Sequence, residues 1–273
     1  MPTYTFGSPT PAKLYVELRS GRLELTATET DATTITVTGK GAEDVVVEQD
    51  GDQISVLDRK PRVSFFGSEA ITVEATVPLD SQLRTKTGSA DVRAQGRLAA
   101  AWLQTGSGDV DLDEIAGPLD LGTGSGDVEV RQVSGPARFK TGSGEVTVGT
   151  AQDVTSVSSG SGDVAIKYAG GAVRVKSGSG DVRVEVAESD VSLATGSGDL
   201  AIGRVSRGNV ESKGASGDIR VGIPAGTPVW TDITTVTGSI RSSLESAGQP
   251  VPGQDHVELR ARTVSGDIIL EQL

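Results

Sequence analysis

A short string, Gly-Ser-Gly-Asp followed by an aliphatic residue, returns along this chain at a fixed interval. Its acidic residue falls at Asp91, Asp109, Asp127, Glu145, Asp163, Asp181, Asp199 and Asp218. Six of the intervals are 18 residues and the seventh is 19. A constant period near 20 residues marks a repeat architecture. Each unit is too small to bury its own apolar face, and stacking on its neighbours supplies the missing contact.

Counting from the acidic residue shows how one unit folds. Position +1 reads Val92, Val110, Val128, Val146, Val164, Val182, Leu200 and Ile219, and position +3 reads Ala94, Leu112, Val130, Val148, Ile166, Val184, Ile202 and Val221. The residues between them are mostly polar. Alternation at period two predicts a strand with one buried face, here called the A strand. Before the turn, position −6 reads Thr85, Leu103, Leu121, Phe139, Val157, Val175, Leu193 and Ser212. Position −8 shares its parity: Leu83, Ala101, Leu119, Ala137, Thr155, Val173, Val191 and Val210. This is a second strand, the B strand, facing the first across a narrow core. Corners at Gly117-Pro118, Gly135-Pro136 and Gly170-Gly171 separate the strands, where Gly and Pro are expected to supply the φ values of a sharp bend.

Successive coils stacked in parallel, with strands about 4.8 Å apart, give an all-β fold: a β-solenoid or parallel β-helix with 18-residue coils. The general rule for parallel crossovers favours right-handed winding. A left-handed triangular helix also has 18-residue coils, but its three six-residue sides fit the two-strand pattern less well. The regular repeat occupies residues 81–223. Residues 1–80 read as a β-rich N-terminal cap continuous with it, in which Ser20-Gly21-Arg22-Leu23 is a degraded turn and A strand. Residues 224–273 read as a C-terminal cap with degraded copies at Gly238-Ser239-Ile240 and Ser265-Gly266-Asp267-Ile268.

Composition agrees with a thin core. Aromatic residues are 3% of the chain, and the 36 glycines are periodic rather than scattered. The net charge of −12 argues against a surface that binds nucleic acid throughout. There is no Cys, so thiol chemistry and Cys-ligated metal are excluded. The N-terminus lacks a basic start and an apolar run, and no long apolar segment occurs. The expected location is therefore the cytoplasm, with peripheral membrane attachment or export by a non-standard route as alternatives.

The repeated Thr-Gly-Ser-Gly-Asp-Val string, its 18-residue beat, and the closing run Leu259-Arg260-Ala261-Arg262-Thr263-Val264-Ser265-Gly266-Asp267-Ile268 resemble a bacterial β-strand-repeat family. It is catalogued as domain of unknown function 4097 and labelled a putative adhesin. The resemblance extends from about residue 12 to the end. It implies a β-solenoid without established enzymatic activity, and it carries over no catalytic residue.

Three ladders are candidate functional features. The acidic ladder invites comparison with calcium-binding rolls, but those place acidic turns twice per coil, and Ca²⁺ takes six to eight oxygens. The competing expectation is that each Asp caps N–H groups in its own turn, with no cofactor. The hydroxyl ladder at position −4 (Thr87, Thr105, Thr123, Thr141, Ser159, Ser177 and Thr195, ending at Gly214), with Ser at −2 from Ser89 to Ser216, resembles an ice-binding Thr-x-Ser array, but its parity turns the −4 column inward, where hydroxyls can bond along the stack.

The third ladder lies on the outward columns of the B strand. Position −7 carries Arg84, Trp102, Asp120, Arg138, Ser156, Arg174, Ser192 and Glu211. Position −5 carries Lys86, Gln104, Gly122, Lys140, Ser158, Lys176, Ala194 and Lys213. Seven of these are basic and two acidic, in an acidic chain. Trp102 should lie one coil from Arg84, close enough for a cation–π contact. Arg84, Lys86, Trp102, Arg138, Lys140, Arg174 and Lys176 are therefore the candidate partner-binding residues. The partner is an acidic protein surface or another copy of the chain, against the plainer reading of a solvated face offsetting nearby carboxylates.

Catalysis has little to stand on. The single histidine, His256, lies in an irregular loop with no nucleophile elbow nearby. Repeated carboxylates have repeated environments, whereas acid–base pairs need environments that push two pKa values apart. The expectation is a non-enzymatic scaffold or protein-interaction module. A calcium-stabilised adhesive module and a polysaccharide-binding or polysaccharide-cleaving β-helix are the alternatives.

Overall fold

The computed structural model of the chain describes residues 1–8, 10–58, 70–245, 248–251 and 253–273. They form two compact units, Met1–Gly135 and Pro136–Leu273. Each is a stack of parallel strands, so the parallel β-helix expected from the repeat is the observed fold.

In the first unit the B side stacks Lys13–Glu17, Gln82–Thr87, Ala100–Thr105 and Leu119–Thr123 in parallel. The A side stacks Gly21–Thr26, Ala90–Gln95, Val110–Ile115 and Val128–Val133. The register is the one set by the repeat: Leu14, Leu83, Ala101 and Leu119 form one buried column. Val92, Val110 and Val128 form another. Fully burying one such aliphatic side chain stabilises by roughly 1.5–3 kcal/mol, which accounts for the dependence of each coil on its neighbours. In the second unit the B strands Ala137–Thr141, Thr155–Ser159, Val173–Ser177, Val191–Thr195 and Gly208–Gly214 stack in order. The A strands Val146–Ala151, Val164–Ala169, Val182–Ala187, Leu200–Val205 and Ile219–Ile223 stack likewise.

Three details differ from the expectation. First, the A strand carries another inward column at +6: Ile115 and Val133 in the first unit, Ala151, Ala169, Ala187 and Val205 in the second. The inward parity shifts between +3 and +6, because the outward positions +4 and +5 follow one another. Each coil thus has a further short inner face that strict alternation does not reveal.

Second, the corner glycines do not serve φ. Gly117, Gly135, Gly170 and Gly171 are all outside the positive-φ region. At Gly117, Gly135 and Gly171 what excludes a side chain is the coil beneath: a Cβ on Gly135 would lie 2.5 Å from the Gly117 carbonyl carbon, one on Gly117 2.5 Å from the Ala99 oxygen, and one on Gly171 2.5 Å from the Asp153 carbonyl carbon, whereas one on Gly170 would meet nothing closer than 3.5 Å. Backbone stacks directly on backbone at these corners.

Third, coils do not always stack in sequence order. At the N-terminal end Gln53–Leu57 and Ile71–Pro78 pair in parallel with Lys13–Thr28. The segment Lys13–Thr28 thus lies between that later coil and Gln82–Leu98. Beyond it the direction reverses. Val46–Asp50 pairs antiparallel with Gln53–Leu57, Ala32–Thr38 with Ile71–Pro78, and Thr3–Gly7 with Ala32–Thr38. At the C-terminal end the last coil, Val257–Thr263 and Ile268–Gln272, sits beside Gly208–Gly214 and Ile219–Ile223. The earlier segments Val229–Thr235 and Ile240–Ser242 are displaced to its far side. The degraded turns line up as expected, with Ser20-Gly21-Arg22-Leu23 opposite Ser89-Ala90-Asp91-Val92. Ile240 is likewise level with Ile268.

Candidate interaction face

The turn ladders hold the scaffold on which any surface is displayed, and at most positions their chemistry is the reverse of the expectation; Thr195 and Thr263 do bond along the stack, to the Gly180 and Gly217 carbonyl oxygens, and Thr87 Oγ1 is buried without a partner among the described residues. The Thr hydroxyl caps its own turn: Gly108 N–H donates to Thr105 Oγ1 at 3.1 Å and Gly126 N–H to Thr123 Oγ1 at 3.0 Å. The Asp joins one coil to the next. Asp109 N–H donates to Asp91 Oδ1 at 3.1 Å and Asp127 N–H to Asp109 Oδ1 at 3.0 Å. In the second unit Asp181, Asp199, Asp218 and Asp267 N–H groups donate to Oδ1 of Asp163, Asp181, Asp199 and Asp218, at 2.8–2.9 Å. Asp267 Oδ1 then accepts Ser239 N–H at 2.8 Å, where the ladder stops for want of a carboxylate. That N–H bond, with Arg241 nearby, holds the Asp267 carboxyl below its ordinary pKa. Glu145 takes the Thr147 hydroxyl at 3.1 Å.

The turn glycines are needed because each turn lies on the one below: a Cβ on Gly108 would stand 2.0 Å from the Ala90 oxygen, and one on Gly180 2.2 Å from the Gly162 oxygen.

The outward B-strand columns are laid out by the same register. In the first unit Ser55, Tyr15, Arg84, Trp102 and Asp120 are successive neighbours. The Arg84 guanidinium carbon lies 5.5 Å from the Trp102 ring centroid. Tyr15 donates its hydroxyl to Glu17 at 3.2 Å, and burial followed by the Glu17 charge raises its pKa. Lys86 stands between Glu17 and Gln104 on the neighbouring column.

In the second unit Arg138, Ser156, Arg174 and Ser192 are neighbours in turn, and so are Lys140, Ser158, Lys176 and Ala194. Four exposed cations therefore frame two serine hydroxyls. Among the described residues none of Arg138, Lys140, Arg174 and Lys176 forms an ion pair, nor does Lys86 or Arg84. Elsewhere most described outward cations are paired, among them Arg93 with Asp111 at 2.9 Å, Arg97 with Asp80 at 2.7 Å, Arg131 with Asp113, and Lys213 with Glu211 at 2.6 Å, while Arg19, Lys167 and Arg204 are exposed without an ion pair among the described residues.

Sequence order hid an extension of this face. Because the last coil slots beside Gly208–Gly214, Arg260 and Arg262 become neighbours of Glu211 and Lys213. Lys213, through its hydrogen bond, and then Arg260 and Arg262 hold the Glu211 carboxyl below its ordinary pKa. Arg262 pairs with Asp232 at 3.0 Å, and Arg260 lies 5.6 Å from the ring centroid of Trp230. The signal was present in the alternating charge of Arg260 and Arg262, but only the pairing shows where that strand goes.

His256 is exposed, its Nδ1 3.3 Å from the Gln254 carbonyl oxygen. It borders an open depression of about 600 Å³ with Glu188, Asp190, Arg207 and Asp255. Arg207 spans Glu188 and Asp255 at 3.8 and 3.9 Å. Among the described residues no helix is long and apolar enough to cross a membrane.

No curated protein matches the chain. Several solved structures are similar over nearly the whole length, among them the following three. A putative adhesin from Bacteroides fragilis is 13% identical, with 98% of this chain and 96% of that one covered and a TM-score of 0.46. A putative adhesin from Parabacteroides merdae is 14% identical, covered 99% and 96%, at 0.45. A putative lipid binding protein from Parabacteroides distasonis is 14% identical, covered 100% and 96%, at 0.46. The family described as Toastrack DUF4097 matches residues 12–172 and 167–272. With those matches spanning nearly all of the coils, the chain belongs to the Toastrack DUF4097 family.

Proposed function

We propose that the chain is an adhesin-like, non-enzymatic interaction module that docks an acidic partner on its outward B-strand face. One observation carries the reading. In a chain of net charge −12 that pairs most of its other described cations, Arg84 and Lys86 on the B columns of the first unit, and Arg138, Lys140, Arg174 and Lys176 on those of the second, have no carboxylate partner among the described residues. Of the ladder carboxylates, Asp91 pairs with Arg22 and Asp218 with Arg220 rather than with these cations, and Asp163, Asp181 and Asp199 form no ion pair among the described residues. The sheet holds the backbone of these cations in place and their charge steers an acidic surface toward it, although each side chain immobilised on docking costs about 0.5–1.5 kcal/mol. Trp102 beside Arg84 adds the residue pair that dominates many interfaces.

The test is capture of an immobilised poly-glutamate peptide. Wild-type protein should bind and release as salt rises through a few tenths molar, where the screening length falls below about 8 Å. Arg138→Ser, Lys140→Ser, Arg174→Ser and Lys176→Ser combined should lose most of the signal while melting at the wild-type temperature. Equal binding by both proteins would refute the face.

A further inference from the structure

The second unit exposes two unpaired charge arrays of opposite sign, built on one lattice. Arg138 and Arg174 sit two coils apart on one column, and Lys140 and Lys176 two coils apart on the next. At about 4.8 Å per strand their spacing is roughly 10 Å. Asp163, Asp181 and Asp199 occupy successive coils, each joined to the next by an N–H···Oδ1 bond of 2.8 Å. Asp163 and Asp199 are therefore also two coils apart. The same bonds leave the second carboxylate oxygen of each Asp uncommitted, and among the described residues none of the three forms an ion pair. Asp163 and Asp181 are exposed and Asp199 half-buried.

We infer that a second copy of this chain is the acidic partner, its Asp163–Asp181–Asp199 ladder lying along the Arg138, Lys140, Arg174 and Lys176 face with the two stacking directions aligned. The inference rests on the docking-face reading above and names the occupant. Match of repeat is the argument: an acidic surface without the coil spacing meets one or two of these cations, whereas a ladder rising at the same step meets both rows in register. Ser156 and Ser158, small and half-buried or exposed between the cations, leave room for the intervening carboxylate. The overall charge of −12 on each copy opposes association at long range. Near 0.1 M salt this repulsion is screened beyond about 10 Å, while charge pairs in contact are screened far less. Association is thus expected to be strongest at intermediate ionic strength. The contact joins two different surfaces, so it leaves each copy a second free surface.

Sedimentation velocity of the full chain tests this, using two variants that keep the fold. One carries Arg138→Ser, Lys140→Ser, Arg174→Ser and Lys176→Ser, matching the serines already in those columns. The other carries Asp163→Asn, Asp181→Asn and Asp199→Asn, which retains an Oδ1 acceptor for the coil-to-coil bond and removes the charge. Thermal melts check that both are folded.

Wild type should assemble to dimers or larger in about 0.1 M salt and weaken about tenfold or more near 0.5 M. Each variant alone should stay monomeric, and an equimolar mixture should form a dimer and stop there, since each variant supplies one half of the contact. Wild type that remains monomeric, an Asn variant that assembles like wild type, or a mixture that does not dimerise would overturn the inference. If wild type is monomeric yet the Ser variant alone loses poly-glutamate, the docking face stands and only the second copy is refuted. If wild type ignores poly-glutamate and binds only anionic phospholipid vesicles, both fall in favour of a membrane surface.

Discussion

Asp181 accepts the Asp199 N–H and offers its own N–H to Asp163, so one residue type links coil to coil from Asp163 to Asp267. What matters in that role is an acceptor oxygen rather than charge. Asp181→Asn is expected to melt within about 0.5 kcal/mol of wild type, while Asp181→Ala, which strands an N–H, costs about 1–2 kcal/mol by urea denaturation. Two other single residues are suboptimal. Thr85 Oγ1 and Ser212 Oγ are buried without a hydrogen-bond partner, level with Val16 and Leu103 in one case and Leu193 and Ala261 in the other. Replacing Thr85 by Val or Ser212 by Ala removes an unsatisfied hydroxyl from an apolar column. Each change should raise stability by about 1 kcal/mol, read as a higher denaturation midpoint at unchanged slope.

At the scale of the turn and strand, the controlling quantity is the distance between backbones. Gly180→Ala places a methyl 2.2 Å from the Gly162 carbonyl oxygen. The coils must separate to admit it, and a loss of at least about 2 kcal/mol is expected, against less than about 0.5 for Ser179→Ala on the exposed side of the same turn. Both are read by chemical denaturation. The A and B strands were legible because column after column repeats the same parity at Val110, Val128, Leu103 and Leu121. The extra inward column at Ile115 and Ala169 was not, because a change of parity inside a strand looks like noise until the chain is seen to bend there. The roles of Thr105 and Asp109 were interchanged for a related reason. Both are acceptors at a Gly turn, and sequence shows that such residues are present but not whether the donor belongs to the same coil or the next.

At the scale of the molecule the ends decide how the stacks terminate. The first unit closes with antiparallel strands on Gln53–Leu57 and Ile71–Pro78. In the second the outermost parallel segments, Val229–Thr235 and Ile240–Ser242, rest on the last coil alone, and Trp230, Val236 and Ile240 stay exposed. Removing Val257–Leu273 should therefore release Val229–Ser242 as well, seen as loss of amide-exchange protection across both segments while Thr155–Ser159 and Val164–Ala169 remain protected.

Acid should loosen each unit through its own carboxylates. Arg131 holds Asp113 below its ordinary pKa, Lys213 does the same to Glu211, and the Ser239 N–H to Asp267. A carboxylate with a lowered folded pKa stabilises above its unfolded value near 4 and loses that contribution as pH falls through the folded one. Melting temperature should be flat from about pH 7 to 5 and fall below about pH 4, and Arg131→Gln should shallow the fall.

By itself the sequence determined that the chain is wound into equal β coils, that the columns at +1, +3, −6 and −8 are buried, and which outward columns are rich in basic residues. Those properties follow from periodicity alone, since a coil that must stack on its copy repeats its apolar, glycine and polar positions in step. Only the tertiary structure decided the order of coils at the two ends, the partner of each ladder hydrogen bond, and the placing of Arg260 and Arg262 beside Glu211. These are choices among edges and donors that are chemically alike. Every coil edge offers the same N–H and C=O groups, so a strand finds its neighbour by how well its side chains fill the space there, and that fit exists only once the chain has folded.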